Sequence, residues 1–317
     1  MRTEEIGRSA VLGTVVSADL AKDGTVYVLD YTGSQLLHFS AEGRLMWRAG
    51  RKGQGPGEFI RPYRVAARDD GGAIVYDGAT QLVSFFSRDG KIERSGRLSI
   101  FFAQVDDLLD MPSGELLVVG AVRALTGAPP AAIHSSMHVF APDLSHRRSF
   151  GPLPDAEDPA ILRFWGVGHA SPAADGRLLF VRKLPYEVYV FDRHETLSRR
   201  IPVGVPVNAR PDDFISISSA PEHGYSGLTF RLTNKDVPAP ARAVVLSPRL
   251  FATGLLSKRR KTIDVIDSQT GALVASCAMP PGWQMLIGYN ASRSALWSVA
   301  EVNDEPVLLR QTIVLQK

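Results

Sequence analysis

A single cysteine, Cys277, in 317 residues leaves no intramolecular disulfide to hold this chain together. The fold must rest on a packed core, and a hydrophobic content of 44% provides for one. No apolar run is long enough to span a bilayer. The opening residues, MRTEEIGRSAVLG, are charged where a signal peptide would be apolar. An extracytoplasmic location therefore requires that a leader was already removed, and a cytoplasmic one is expected otherwise. Charge of one sign is also scarce. Lys and Arg number 36 against 33 Asp and Glu, a net charge of +3, and nucleic acid is not an expected partner. The lone thiol lies in an uncharged run, Ala275-Ser276-Cys277-Ala278, and is expected to pack rather than react. Local catalytic signatures are missing too. There is no G-x-S-x-G elbow. The stretch GRKGQGPG lacks the Lys-Ser/Thr ending of a phosphate-binding loop and does not open a helix.

Turns at a fixed spacing are what the sequence does have. Val15–Leu20, the turn Lys22-Asp23-Gly24 and Thr25–Asp30 are followed by Gln35–Ser40, the turn Glu42-Gly43 and Arg44–Ala49. The pattern returns as Arg64–Ala67, Asp70-Gly71-Gly72, Ala73–Tyr76, Gln81–Ser87, Asp89-Gly90 and Lys91–Leu98. Asp23 and Asp70 are 47 residues apart, as are Glu42 and Asp89. Runs such as Thr25-Val26-Tyr27-Val28-Leu29 alternate, with β-branched and aromatic residues, and read as strands. A four-strand unit of this length has the size of a propeller blade. Six copies can be placed, at 13–49, 63–98, 104–150, 168–203, 241–279 and 285–317. The expected fold is all-β, a single domain over 1–317 forming a six-bladed β-propeller of four-stranded antiparallel blades. The last copy has only three strands, while Glu5–Leu12 has no partner in the first. The N-terminal segment, residues 1–12, is therefore expected to complete the last blade and close the ring. A monomer is expected.

Between the first two copies lies Gly53-x-Gly55-Pro56-Gly57-Glu58-Phe59-x-x-Pro62. A strand, an Asp-Gly turn, a strand ending in Asp77 and a Phe-Ser-x-Asp-Gly turn follow. Over residues 13–98 this resembles the bacterial six-bladed β-propeller proteins related to NHL-repeat propellers. Elsewhere only the repeat pattern is shared. The resemblance implies the fold and leaves activity open, because such propellers include binding scaffolds and enzymes. Relatives of this kind are often exported and commonly carry Ile-Gly near the mature start. Ile6-Gly7 is similar, which implies a trimmed export signal.

In a four-stranded blade, the loop from second to third strand shares a rim with the connector to the next blade. Every long segment here belongs to that rim: Gly50–Pro62, Ala121–Ser136, Gly151–Val167, Gly204–Pro240 and the basic turn Ser257–Lys261. Variable loops on a rigid scaffold are where binding residues collect. Candidates at the first connector are Arg51, Lys52, Arg61, Tyr63 and Arg64. Further round the rim come Arg163 with Trp165, then His169, Tyr186 and Tyr225, and the turn Lys258-Arg259-Arg260. Aromatic residues beside arginine suit a protein or small-molecule ligand, and the basic groups suit an acidic one. A non-catalytic binding or interaction module is the expected function. The alternative is a metal-dependent hydrolase, similar to propeller lactonases and esterases. It would hold a divalent cation such as calcium in the central tunnel, with Asp19, Asp107 and Asn290 as candidate ligands and Arg64 and Arg242 opposing the cation. No other cofactor is expected. His134 and His138 have the spacing of two helical metal ligands. On a strand they would stand roughly 13 Å apart, and both are expected at the surface. Trp47 and Trp297 are expected to pack within strands, and Phe164 and Trp165 also suit the wedge between blades.

Overall fold

The second strand of each early repeat has no polar face. Val26–Asp30 and Ala73–Asp77 are buried at every position. Such a strand must be covered on both sides, and a ring of stacked blades provides the cover. The computed structural model describes residues 2–8, 12–123, 128–152, 167–173, 175–182, 186–203, 216–219, 228–231, 239–256, 261–280 and 282–312.

The first strand, β1 (Arg2–Arg8), precedes blade one, which is β2 (Val15–Leu20), β3 (Val26–Asp30), β4 (Gln35–Phe39) and β5 (Leu45–Ala49). Blade two is β6 (Pro62–Ala67), β7 (Ala73–Asp77), β8 (Leu82–Phe86) and β9 (Ile92–Arg97). Blade three is β10 (Phe102–Asp110), β11 (Leu116–Val122), β12 (Ser135–Phe140) and β13 (His146–Pro152), with a short helix α1 (Pro130–Ile133) before β12. Blade four is β14 (Gly168–Pro172), β15 (Leu178–Arg182), β16 (Glu187–Phe191) and β17 (Leu197–Pro202). The long segment that follows is not all loop, since β18 (Ser216–Ser219) and β19 (Leu228–Arg231) pair antiparallel within it. Blade five is β20 (Ala239–Val245), β21 (Leu250–Leu256), β22 (Lys261–Asp267) and β23 (Leu273–Ala278). The last blade has β24 (Trp283–Asn290), β25 (Ala295–Val302) and β26 (Glu305–Thr312), with β1 as its fourth strand.

Arg2 lies opposite Thr312 and Arg8 opposite Val307, so the ring closes with the N-terminal strand. That strand begins at Arg2, earlier than the expected Glu5. The first strands of the blades neighbour one another around the tunnel, and β24 meets β2 at the closure. Each turn from first to second strand in the two opening blades places a glycine in left-handed backbone, Gly24 at φ +87° and Gly71 at φ +86°. Only glycine adopts that conformation without strain, so the 47-residue spacing of these turns is written in the sequence.

The core is divided among the seams. In β3, Val26 and Val28 face the last blade, while Tyr27 and Leu29 face blade two. Trp297 is wholly buried where the last blade meets the first. Each such large side chain contributes roughly 1.5–3 kcal/mol on leaving water. Trp47 is half-buried and donates its indole N–H to the Arg88 carbonyl at 2.9 Å. Cys277 is half-buried on β23.

One expectation is overturned here. His138 is not at the surface but fully buried, because β12 is covered on both faces along its whole length. Its Nε2–H donates to the Gly120 carbonyl at 3.2 Å, and its Nδ1 accepts from the Ser149 hydroxyl at 2.9 Å. His134, at the end of α1, is exposed. No helix among the described residues is long and apolar enough to cross a membrane.

Candidate functional site

The glycines of the first connector let the chain wrap one side chain. Glu58 folds back so that Oε2 accepts the Gly55 N–H at 3.0 Å and Oε1 accepts from Arg51 at 2.8 Å. A Cβ on Gly53 would collide with that carboxylate. Phe59 then drops between blades one and two and is buried. Arg51 thus belongs to the loop's own framework, although its guanidinium is exposed. Lys52 is exposed, and its backbone bridges to Phe59.

Asp77, at the end of β7, carries this loop onto the rim. One oxygen of its buried carboxylate accepts the N–H groups of Ile60 at 2.8 Å and Arg61 at 2.7 Å. The other accepts the Ala79 and Thr80 N–H groups, at 3.0 and 2.9 Å, and the Thr80 hydroxyl at 3.0 Å. The connector and the turn after β7 are held as one piece. Asp30 plays a similar part in blade one, accepting from Thr32 and Gly33.

Beside that turn a cleft of about 950 Å³ opens between blades two and three, on the rim that carries the long loops. Arg61, Tyr63, Arg97, Phe101, Gln104 and Arg123 face it. Arg61 donates to the Gly78 carbonyl at 3.1 Å, and Arg97 donates its Nε–H to the Thr80 carbonyl at 3.2 Å. Gln81, in left-handed backbone at φ +58°, holds the opposite wall. Its Nε2 donates to the Phe102 carbonyl at 3.0 Å and its Oε1 accepts the Phe102 N–H at 3.1 Å. Phe102 is thereby fixed in the seam, and Phe101 is left 52% exposed. Among the described residues no carboxylate forms an ion pair with Arg61, Arg97 or Arg123. Reading the sequence reaches Arg61 and Tyr63 but misses Arg97, Phe101 and Arg123. Their one signal is position, since each sits at a strand end or connector on the long-loop rim.

The tunnel is the second candidate. A cavity of about 410 Å³ opens at its short-loop end, lined in part by Asp19, Asp110, Arg242 and Asn290. Arg242 reaches from blade five to blade one. Its Nη1 lies 2.7 Å from Asp19 Oδ1 and donates to the Ala18 carbonyl at 3.0 Å. The other Asp19 oxygen accepts the Ala67 N–H at 2.8 Å. Arg64 turns inward, donating to the Asp106 carbonyl at 2.6 Å, with its guanidinium 4.3 Å over the Tyr63 ring. His169 faces Asp107 at 3.5 Å. Burial pushes the Asp107 carboxyl up, but Arg242, His169 and Arg64 outweigh it and hold it below the usual carboxylate range. Asn290 Oδ1 accepts from the Ser292 hydroxyl at 2.7 Å and the Arg293 N–H at 3.1 Å, capping a short turn of 3-10 helix.

Asp19 and Asp107 both lie in the field of Arg242, and Asn290 caps a turn, so none of the three is left to serve a cation. Among the described residues no three His, Cys, Asp or Glu side chains are grouped to hold a metal ion. Tyr186 is buried in the seam between blades four and five, where burial raises its hydroxyl pKa. Arg163, Phe164, Trp165, Tyr225, Lys258, Arg259 and Arg260 lie outside the described residues.

A family model described as a 6-bladed beta-propeller matches residues 12–117. No curated protein matches the sequence. A Bacteroides fragilis protein described as exported shares the fold with a TM-score of 0.63 at 13% identity, over 99% of this chain and 95% of its own. Virginiamycin B lyase from Staphylococcus aureus, solved with quinupristin, gives 0.58 at 9% identity, over 98% and 99%. A luciferin-regenerating enzyme gives 0.58 at 11% identity, over 99% and 95%. At these identities the likeness is one of fold alone. The chain is a six-bladed β-propeller, closed by its N-terminal strand, and its opening blades match that family's model.

Proposed function

We propose that this propeller is a non-catalytic binding module that holds an acidic small-molecule or protein ligand on its long-loop rim. One observation carries the reading. Arg61, Arg97 and Arg123 share a cleft in which no described carboxylate pairs with them, whereas Arg242 in the tunnel is matched to Asp19. Unneutralised cations around a cavity attract an anionic partner. Phe101 and Tyr63 add ring surface for contact.

The test is charge reversal. A fluorescent polyglutamate peptide is titrated at low salt against the wild type and the double variant Arg97→Glu, Arg123→Glu, with fluorescence anisotropy as readout. The rim variant is expected to lose binding by at least about tenfold, the loss of roughly one charge-assisted contact. Lys91→Glu makes a like change on the opposite rim, at an exposed lysine, and is expected to bind as the wild type does. Loss in the Lys91 variant with none in the rim variant would overturn the reading, as would a wild type that binds neither this peptide nor any small anion.

The alternative hydrolase, with calcium in the tunnel, has less support. Asp19 gives its oxygens to Arg242 and to the Ala67 N–H, and a hard cation needs several converging oxygens. Calcium found by elemental analysis of purified protein, together with lactone turnover, would reverse that preference.

A further inference from the structure

Resting on the rim reading above, we propose a ligand class for the cleft between blades two and three: a small molecule with two or more carboxylate or phosphate groups set around a ring. Three features of the cleft lead there.

Its cations are all arginines, and they stand on different walls. Arg61 precedes β6 and Arg97 ends β9, both in blade two, whereas Arg123 follows β11 in blade three. A guanidinium is a planar fork that matches an oxyanion with two parallel bonds. A ligand with one anionic group satisfies one fork and leaves the others in the cleft without an anion. A ligand with several satisfies them together and spans the seam.

Two of the forks are already aimed. Arg61 and Arg97 each give a hydrogen bond to a carbonyl of the turn after β7, and Asp77 fixes that turn. Both still have N–H groups to offer. Because side chains held before binding lose less freedom on binding, these arginines act as a built anion seat rather than as loose surface charge.

The third feature is the exposed ring of Phe101. The clamp from Gln81 to Phe102 sends one phenylalanine into the seam and leaves its neighbour in the cleft, about half exposed. An aromatic face beside arginine forks suits a ring bearing oxyanions, with the ring's face or its C–H bonds on Phe101 and the anions on the guanidinia.

Isothermal titration calorimetry at low salt tests this with trimesate, inositol trisphosphate, citrate and benzoate. Trimesate or inositol trisphosphate is expected to bind at least about tenfold more tightly than benzoate, and the order of those two identifies the preferred oxyanion. Arg97→Ala and Arg123→Ala are each expected to weaken the better ring polyanion about five- to tenfold. Phe101→Ala is expected to weaken trimesate and leave citrate, which has no ring, unchanged. All three side chains are exposed, so the variants should melt as the wild type does. Equal affinity for benzoate and both ring polyanions overturns the ligand class while leaving an acidic-ligand rim in place. Binding that none of the variants alters overturns the assignment to this cleft. Failure of the polyglutamate titration as well as all four anions removes the rim reading itself.

Discussion

A second proton on His138 would place a full charge where water cannot reach it. Its Nε2–H already points at the Gly120 carbonyl and its Nδ1 takes the Ser149 hydroxyl, so burial holds its pKa down at about 4. His38 is stacked on Tyr27 with ring centroids 4.3 Å apart, and burial lowers it to about 4 as well. Unfolded imidazoles take up a proton near pH 6.5. Between that pH and 4 the unfolded chain binds more protons than the folded one. The histidines therefore leave stability untouched above pH 6.5 and reduce it as pH falls toward 4. From pH 7 to pH 5 the expected loss is about 2 kcal/mol from His138 and about 1 kcal/mol from His38 after allowance for screening. Urea unfolding at both pH values, for the wild type and for His138→Gln and His38→Phe, should show a shallower pH dependence in each variant. An unchanged slope would remove these groups as the cause. Asp77 makes a second residue-scale case. Asp77→Ala strands the N–H groups of Ile60, Arg61, Ala79 and Thr80, and an expected loss of about 2–4 kcal/mol follows. It should also loosen the anion seat at Arg61, read as weaker trimesate binding in folded protein. Arg61 is legible in the sequence because it flanks the glycine-rich connector, and Asp77 because it ends a strand that follows. Arg97 and Arg123 are not, because only the packing of blade two on blade three brings them to one cleft. The burial of His138 is hidden in the sequence for a related reason: a strand covered on both faces carries no alternation from which exposure can be inferred.

Blades were legible where the backbone demanded particular residues. Gly43 and Gly90, at φ +79° and +80°, repeat the same turn one period apart, and glycine adopts that backbone most readily; the equivalent turns of blades three and four carry Leu144 and Glu195, at φ +66° and +61°, and give no such marker. The pair β18 and β19 has no such marker, and its sequence reads as loop. The closing strand was legible by a different logic, the missing fourth strand of the last blade. It covers β26 from Val307 to Thr312 and joins Glu4 to Arg310 at 2.8 Å. Deleting residues 1–12 would expose that edge and also remove Leu12 from the seam between the last and first blades. A ring depends on its closure for cooperativity, so a fall in melting temperature of about 10 °C or more is expected, with the deleted protein prone to self-association through the bared edge. A melting curve that matches the full chain would show that β1 is an accessory. The first connector gives an independent check. Phe59→Ala empties a place between blades one and two at an expected cost of about 3–4 kcal/mol.

At the scale of the whole ring, charge is distributed differently at its centre and on its rim. The tunnel holds polar contacts between blades: the ion pair of Arg242 of blade five with Asp19 of blade one, and His169 of blade four facing Asp107 of blade three. Arg242 and Asp19 are mostly buried, at 17% and 14% exposed, and they join blades that are not neighbours. This is the geometry of a staple across the axis, and the physics of buried pairs separates a staple from a reaction centre. Asp19→Asn leaves Arg242 short of its partner, and a loss of about 2–4 kcal/mol is expected. Replacing both members with apolar residues of similar length, Asp19→Leu with Arg242→Met, removes the stranded charge together with its partner. The double variant is expected to recover part of that stability, the shortfall coming from Asp107, which also loses the Arg242 charge. Anion binding at the rim should be unchanged in both, because the cleft shares no side chain with the tunnel pair. If the double variant were no more stable than the single, the pair would not be acting as a staple. If rim binding fell in step with the tunnel substitutions, the two sites would be one coupled device rather than a rigid hub with a separate binding face.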